Sequence, residues 1–254
     1  MSNPNLPPGR VPPALPGHTP SAPKPPKTPG KRFSLRDQWP WLPWVLPLAL
    51  FLVLTALEGQ FPDYYPLFYT GKIAVITAVL LALRRFLPEA KPNREGVGIA
   101  VGLGLVLFAL WVGVDKISPH FPAIFGNRIG YNPFQQIANP VNRALFLLVR
   151  FFGLVVIAPV CEEVFYRGFL LRFVTDMDDF RRVPLGRFSS TAFAVNVVLM
   201  AASHPEWLAA AVFSAALCAL MARTRSLFAC IVCHGVTNLA LGVYVLLAQD
   251  WKYW

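Results

Sequence analysis

Glu162 and Glu163 adjoin the apolar run Leu154–Cys161, and Arg167 follows one helical turn after Glu163. Ionisable groups beside or inside apolar segments are costly to bury, so each is a functional candidate by default. Two adjacent carboxylates cannot both ionise there without a partner. On a helix Glu163 and Arg167 share a face and can pair. That directs Glu162 elsewhere, about 100° round the axis. The chain has four histidines, of which His18 and His120 lie in a tail and a loop. His204 ends a later apolar run, and His234 and Asn238 stand one turn apart inside the longest uncharged stretch, Ser226–Gln249. Asn196 is a lone amide in the run that ends at His204.

These groups suit hydrolysis. Cleaving a peptide bond needs an activated water and donors for the developing oxyanion. A buried carboxylate takes a proton from water more readily than a solvated one. Each group also has a structural reading. Glu163–Arg167 can simply be an ion pair closing a helix, and His204 an interfacial side chain. His234, Asn238 and Asn196 can be interhelical glue worth about 0.6 kcal/mol each. Joint occurrence on separate spans favours a site. A metal version uses the same atoms, with Glu162, His204 and His234 as zinc ligands and an open fourth position. No HExxH is present, so the expectation is no cofactor, with zinc as the alternative. Cys230-Ile-Val-Cys233-His234 matches the haem-attachment pattern, but it lies in an apolar run that reads as a membrane helix.

Taken together, EExxxR (Glu162, Glu163, Arg167), His204 at the end of a following span and HxxxN (His234, Asn238) resemble the CAAX prenyl protease and bacteriocin-processing family, also called the Abi family. The resemblance covers about residues 143–242. It departs where the family commonly has FxxxH, because Met200 stands four before His204. The resemblance implies an integral membrane endopeptidase with its catalytic groups inside a helical bundle. It assigns Glu162 as the base, with His204 sharing its proton. His234 and Asn238 become oxyanion donors, and Glu163 with Arg167 orients the site. The implied substrate is a hydrophobic or membrane-anchored peptide, of which a prenylated CAAX-like tail is one kind. A non-catalytic scaffold or bacteriocin-immunity-type protein of the same fold is the alternative from another class. A transporter would need repeat symmetry that the chain lacks.

Such groups need helices to hold them in a membrane, and composition supplies those. Charged residues are 14% of the 254 and apolar residues 55%, with mean hydropathy +0.49. A typical soluble chain has ~25% charged residues. The expectation is an all-α polytopic transmembrane bundle of about seven spans. Three N-terminal spans cover 38–57, 64–83 and 96–114. A core of four more covers 143–249, and hydropathy cannot resolve an eighth, re-entrant or surface helix near 165–180. Trp39, Trp41 and Trp44 mark the start of the first span as interfacial anchors. Lys72 blemishes the second, and Gly96, Gly98, Gly102 and Gly104 suit close helix contact in the third.

The net charge of +10 resolves by position. Residues 1–36 carry six basic residues, no acid and eleven prolines. This reads as a disordered, basic, Pro-rich tail over 1–37, followed by a membrane domain over 38–254. The remaining basic loops alternate so that the positive-inside rule puts the N-terminus in the cytoplasm. The excess therefore sets topology and touches anionic lipid; it does not bind nucleic acid. The tail is also a candidate ligand for a cytoplasmic partner, and compact loops favour a bacterial inner membrane. One tension remains in this map. On a rise of 1.5 Å per residue, His234 lies about 12 Å into its span and His204 about 24 Å. Extending the fourth span to about Arg150–Arg172 and starting the fifth near Ala192 reconciles them better.

Overall fold

The computed structural model describes residues 38–119 and 130–253; the proline-rich tail and His120 lie outside them. The described residues are helical, with no strand among them. The main helices are α1 (Leu42–Glu58), α2 (Tyr65–Leu83), α3 (Val97–Asp115), α4 (Pro140–Thr175), α5 (Ser190–Ala202), α6 (Trp207–Thr224) and α7 (Leu227–Ala248). All seven are apolar. Five are long and apolar enough to cross a membrane, while α1 and α5, with 17 and 13 residues, are shorter. The all-α transmembrane bundle is therefore the fold.

Local chemistry sets the helix ends. Asn139 caps α4, its side-chain oxygen accepting from Val141 N at 2.9 Å and Asn142 N at 3.1 Å, with Pro140 at the first helical position. Such a cap supplies acceptors for backbone donors that have none in the first turn. Ser226 caps α7 in the same way through Ala229 N at 3.2 Å. Between α6 and α7, Arg225 takes a left-handed conformation (φ 53°), and its N–H bonds back to Met221 O at 2.8 Å. This one-residue reversal makes α6 and α7 antiparallel neighbours.

Helices α3 and α7 pack closest. A Cβ on Gly104 would sit 2.7 Å from the Cys233 carbonyl, so only glycine allows this approach. Thr237 Oγ1 then donates to Gly104 O at 2.9 Å across the seam. The expected glycine contact holds here and at Gly96, where a Cβ would meet Thr224. It fails at Gly98 and Gly102, which would meet nothing within 4 Å. Those two stand one turn apart on the helix face turned away from α7.

α4 differs most from the expected span. It runs for 36 residues, about 54 Å of rise, well beyond a bilayer core of ~30 Å. Glu162 and Glu163 therefore lie inside a helix and not at its end. Residues 164–175 continue that helix, so no separate eighth element forms there. Two stretches of α4 are π-helical, Gly153–Ile157 and Val164–Leu170, and they bracket the short α segment Ala158–Glu163. Wide π turns of this kind recur at functional sites because they re-aim side chains within a continuous helix.

Candidate active site

A cavity of about 870 Å³ lies inside the bundle. Glu162 from α4, His204 from the turn after α5, and His234 and Asn238 from α7 all line it. Glu163 and Arg167 do not. They sit behind the wall, both fully buried, with Arg167 Nη1 donating to Glu163 Oε1 at 3.2 Å. The i,i+4 spacing thus makes the pair, and the adjacent Glu162 faces the other way.

Four further bonds complete the buried network. His234 Nδ1–H donates to the same Glu163 Oε1 at 2.8 Å. Arg167 Nη2 donates to Ser214 O at 3.3 Å and Ser214 Oγ at 3.1 Å. Ser214 Oγ in turn donates to the Asn196 carbonyl at 3.3 Å. One carboxylate therefore ties α4 to α7, and its arginine ties α4 to α6 and α5. Asn196 enters through its backbone. Its side-chain amide bonds back to Ala192 O at 3.2 Å within its own helix, so it is not the interhelical glue that sequence suggested.

Both histidines are held by Nδ1, which decides the tautomer. His204 Nδ1 lies 3.0 Å from the Met200 carbonyl, which can only accept, and 2.9 Å from Ser203 Oγ. The partner at position 200 is thus a backbone oxygen. That explains why methionine can stand where the resembled motif has phenylalanine. His234 is fixed through Glu163. In each neutral ring Nε2 is then the basic nitrogen. The imidazoles are linked through aromatic rings: His204 meets Trp111 at 5.7 Å, Trp111 meets Phe213 at 5.8 Å, and Phe213 meets His234 at 4.8 Å, all edge to face. The depth difference in the sequence map is thereby spanned within one cavity.

Asn238 has a local reason for its place. Pro159 has no N–H to offer the carbonyls one turn back, at Leu154 and Val155. Asn238 Nδ2 donates to Leu154 O at 2.9 Å. Gly235, one α7 turn earlier, lets the backbone close on Val155 O, which a Cβ would approach to 2.7 Å. One of the two Asn238 amide N–H groups is thus committed to the first π segment. Among the described residues no group of three or more His, Cys, Asp or Glu has the arrangement of a metal site. Cys230 and Cys233 have no exposed surface, and the His234 ring is bonded to Glu163, so the haem-like pattern is helix core.

Residues 144–240 match the family model described as Type II CAAX prenyl endopeptidase Rce1-like. All six candidate residues fall in that stretch. That stretch is similar to the Rce1-like family. The resemblance read from the motifs is found again in that stretch, which is similar to a protease family, and the protein is an integral, multi-pass membrane protein. Neither the curated proteins nor the solved structures compared with the chain gave a match.

Several residues at the site escaped the sequence analysis. Ser214 looked like any small residue in an apolar helix, and Trp111 like core. Lys72 read only as a blemish in the second span; it is buried beside Glu58, with Nζ 2.7 Å from Glu58 Oε2. Tyr253 also lines the cavity, from a C-terminal turn latched to α3. There Lys252 Nζ donates to Asp115 Oδ2 at 2.9 Å, and the Tyr253 hydroxyl donates to the same oxygen. Asp115 holds the Lys252 ammonium above its ordinary range.

Proposed function

We propose that the protein is an intramembrane endopeptidase that hydrolyses a hydrophobic or membrane-anchored peptide with a water activated by Glu162. The observation that carries this is the division between neighbours. Glu163 is consumed by Arg167 and His234 inside the wall, while Glu162 faces a cavity shared with His204, His234 and Asn238. The matched family's description names CAAX prenyl substrates. Only the hydrophobic, membrane-anchored class is extended to this chain.

In this mechanism Glu162 takes a proton from water as its oxygen attacks the scissile carbonyl. The C–O bond forms, and the carbonyl electron pair moves onto oxygen. The second Asn238 amide N–H and His234 Nε2–H meet that oxyanion. Because His234 Nδ1–H is committed to Glu163, Nε2 donates to that oxyanion only in the imidazolium form. Collapse restores the carbonyl and breaks the C–N bond. The proton held by Glu162, shared with His204 Nε2, passes to the leaving amine.

The test is cleavage of a membrane-anchored hydrophobic peptide by the purified chain in liposomes, read by mass spectrometry. Two complementary fragments are expected, with none from Glu162→Gln. Fragments at the unsubstituted rate from that variant exclude Glu162 as the base. Loss of activity with a strong chelator, restored by zinc, replaces this mechanism with the metal version.

A further inference from the structure

The second π segment, Val164–Leu170, turns one more polar side chain onto the cavity wall. Tyr166 stands four positions after Glu162, on the same helix face, and both line the cavity. The EExxxR pattern leaves its position open. The ring is held from behind. It is 6% exposed, meets Phe165 edge to face at 5.1 Å and has the Arg167 guanidinium 5.5 Å from its centre. Its hydroxyl hydrogen-bonds the Ser203 side chain, which also lines the cavity.

The bonds of Ser203 then follow from its chemistry. A serine hydroxyl offers one proton and two lone pairs. The proton goes to the Met200 carbonyl at 2.8 Å. Toward His204 Nδ1–H at 2.9 Å and toward the Tyr166 hydroxyl, Ser203 Oγ therefore accepts. His204 needs such support, because α5 ends at Ala202 and α6 begins at Trp207, and the histidine lies between them, outside either helix. Met200 and Ser203 belong to its own segment, and Trp111, edge to face at 5.7 Å, belongs to α3. The Tyr166 bond refers that segment to α4, the helix that carries Glu162.

We infer that Tyr166 is a positioning residue: through Ser203 it holds the His204 ring where that ring can share the proton of Glu162. The inference rests on the peptidase reading and deepens it. Proton sharing tolerates little misplacement, and a shift of ~1 Å at a reacting group costs up to about a hundredfold in rate. Peptide binding does not pass through this tie, so its loss falls on kcat and not on KM.

The experiment measures cleavage of a membrane-anchored hydrophobic peptide by the full-length chain in liposomes. Tyr166→Phe keeps the ring and removes the hydroxyl. It should lower kcat at least about tenfold, with KM changed less than about twofold. Ser203→Ala should lose as much, and Ser203→Thr, which keeps a hydroxyl, should retain most of the rate. Tyr166→Phe combined with Ser203→Ala should fall no further than either alone, because both break one tie. An unchanged kcat in Tyr166→Phe overturns the tie, and so do losses that multiply in the double variant. If Tyr166→Phe does not fold, Ser203→Ala and Ser203→Thr read the same tie from its other end. Imidazole nitrogen resonances, read by NMR without peptide, separate the two claims. His204 should give one sharp Nδ1–H form in the unsubstituted protein and a broadened or split signal in Tyr166→Phe. That change, with no cleavage by the unsubstituted chain, keeps the tie and removes the peptidase. A signal that stays sharp in Tyr166→Phe removes the tie, and cleavage by the unsubstituted chain then stands alone.

Discussion

Two buried ion pairs divide this bundle. Glu163–Arg167 is sealed, at 0% exposure on both side chains, and every bond it makes runs into the helices around it. Glu58–Lys72 is nearly as buried, at 8% and 4%, yet it borders the cavity and has a second cation beside it. Burial alone does not separate structure from function in a membrane protein. What separates them is where the remaining bonding capacity points. The first pair turns inward and positions His234. The second borders open volume.

Removing one partner from each pair tests that contrast most strongly. Arg167→Met leaves Glu163 uncompensated in the wall and should cost about 3–5 kcal/mol of stability. Thermal unfolding in detergent should show a large fall in melting temperature. Lys72→Met should cost clearly less, because Arg150 remains near Glu58 and Glu58 borders the cavity. Equal losses in the two variants would erase the distinction. Next in size, Asn238→Ala removes the donor to Leu154 O and should cost about 1–3 kcal/mol. Its melting shift should fall between the other two, and hydrogen exchange should rise around Gly153–Ile157. Replacing the cavity-facing pair as a unit, with Glu58→Gln and Lys72→Met together, should change stability by less than about 1 kcal/mol. Smallest of all, Trp111→Phe keeps an aromatic ring between His204 and Phe213 and should lower cleavage only a few-fold; a loss near that of Glu162→Gln would mean the indole does more than pack.

Much of the architecture was legible from sequence because hydropathy and helix periodicity are local. The Glu163–Arg167 pair follows from spacing alone, and α7 (Leu227–Ala248) falls within a residue of the uncharged stretch Ser226–Gln249 at each end. The long α4 was only half legible. Its apolar run ends at Cys161, and hydropathy alone does not carry a helix through two glutamates and an arginine; only the depth comparison of His204 and His234 extended the span to about Arg172, near the observed end at Thr175. What carries it on is tertiary, because Arg167 finds Ser214 and His234 finds Glu163 only once α6 and α7 are in place. The π segments left a faint trace in Gly153 and Pro159, which a pattern search for spans passes over. The Glu58–Lys72–Arg150 group was invisible as a unit because its members lie far apart in the chain. Lys72 then looked like a lone defect and Glu58 like the start of a loop. Gly98 and Gly102 show the converse error, a composition signal without a neighbouring helix to receive it.

Adjacent carboxylates with different work should respond differently to the same substitution, and one paired measurement addresses that. Glu162→Gln and Glu163→Gln are compared for melting temperature and for cleavage of the same membrane-anchored peptide. Glu162→Gln should melt with the unsubstituted protein and lose at least about a hundredfold in cleavage rate. Glu163→Gln should melt several degrees lower, since Arg167 is then left as a buried, unpaired cation. Cleavage that survives Glu162→Gln, or a Glu163→Gln protein that melts like the original, would contradict the division.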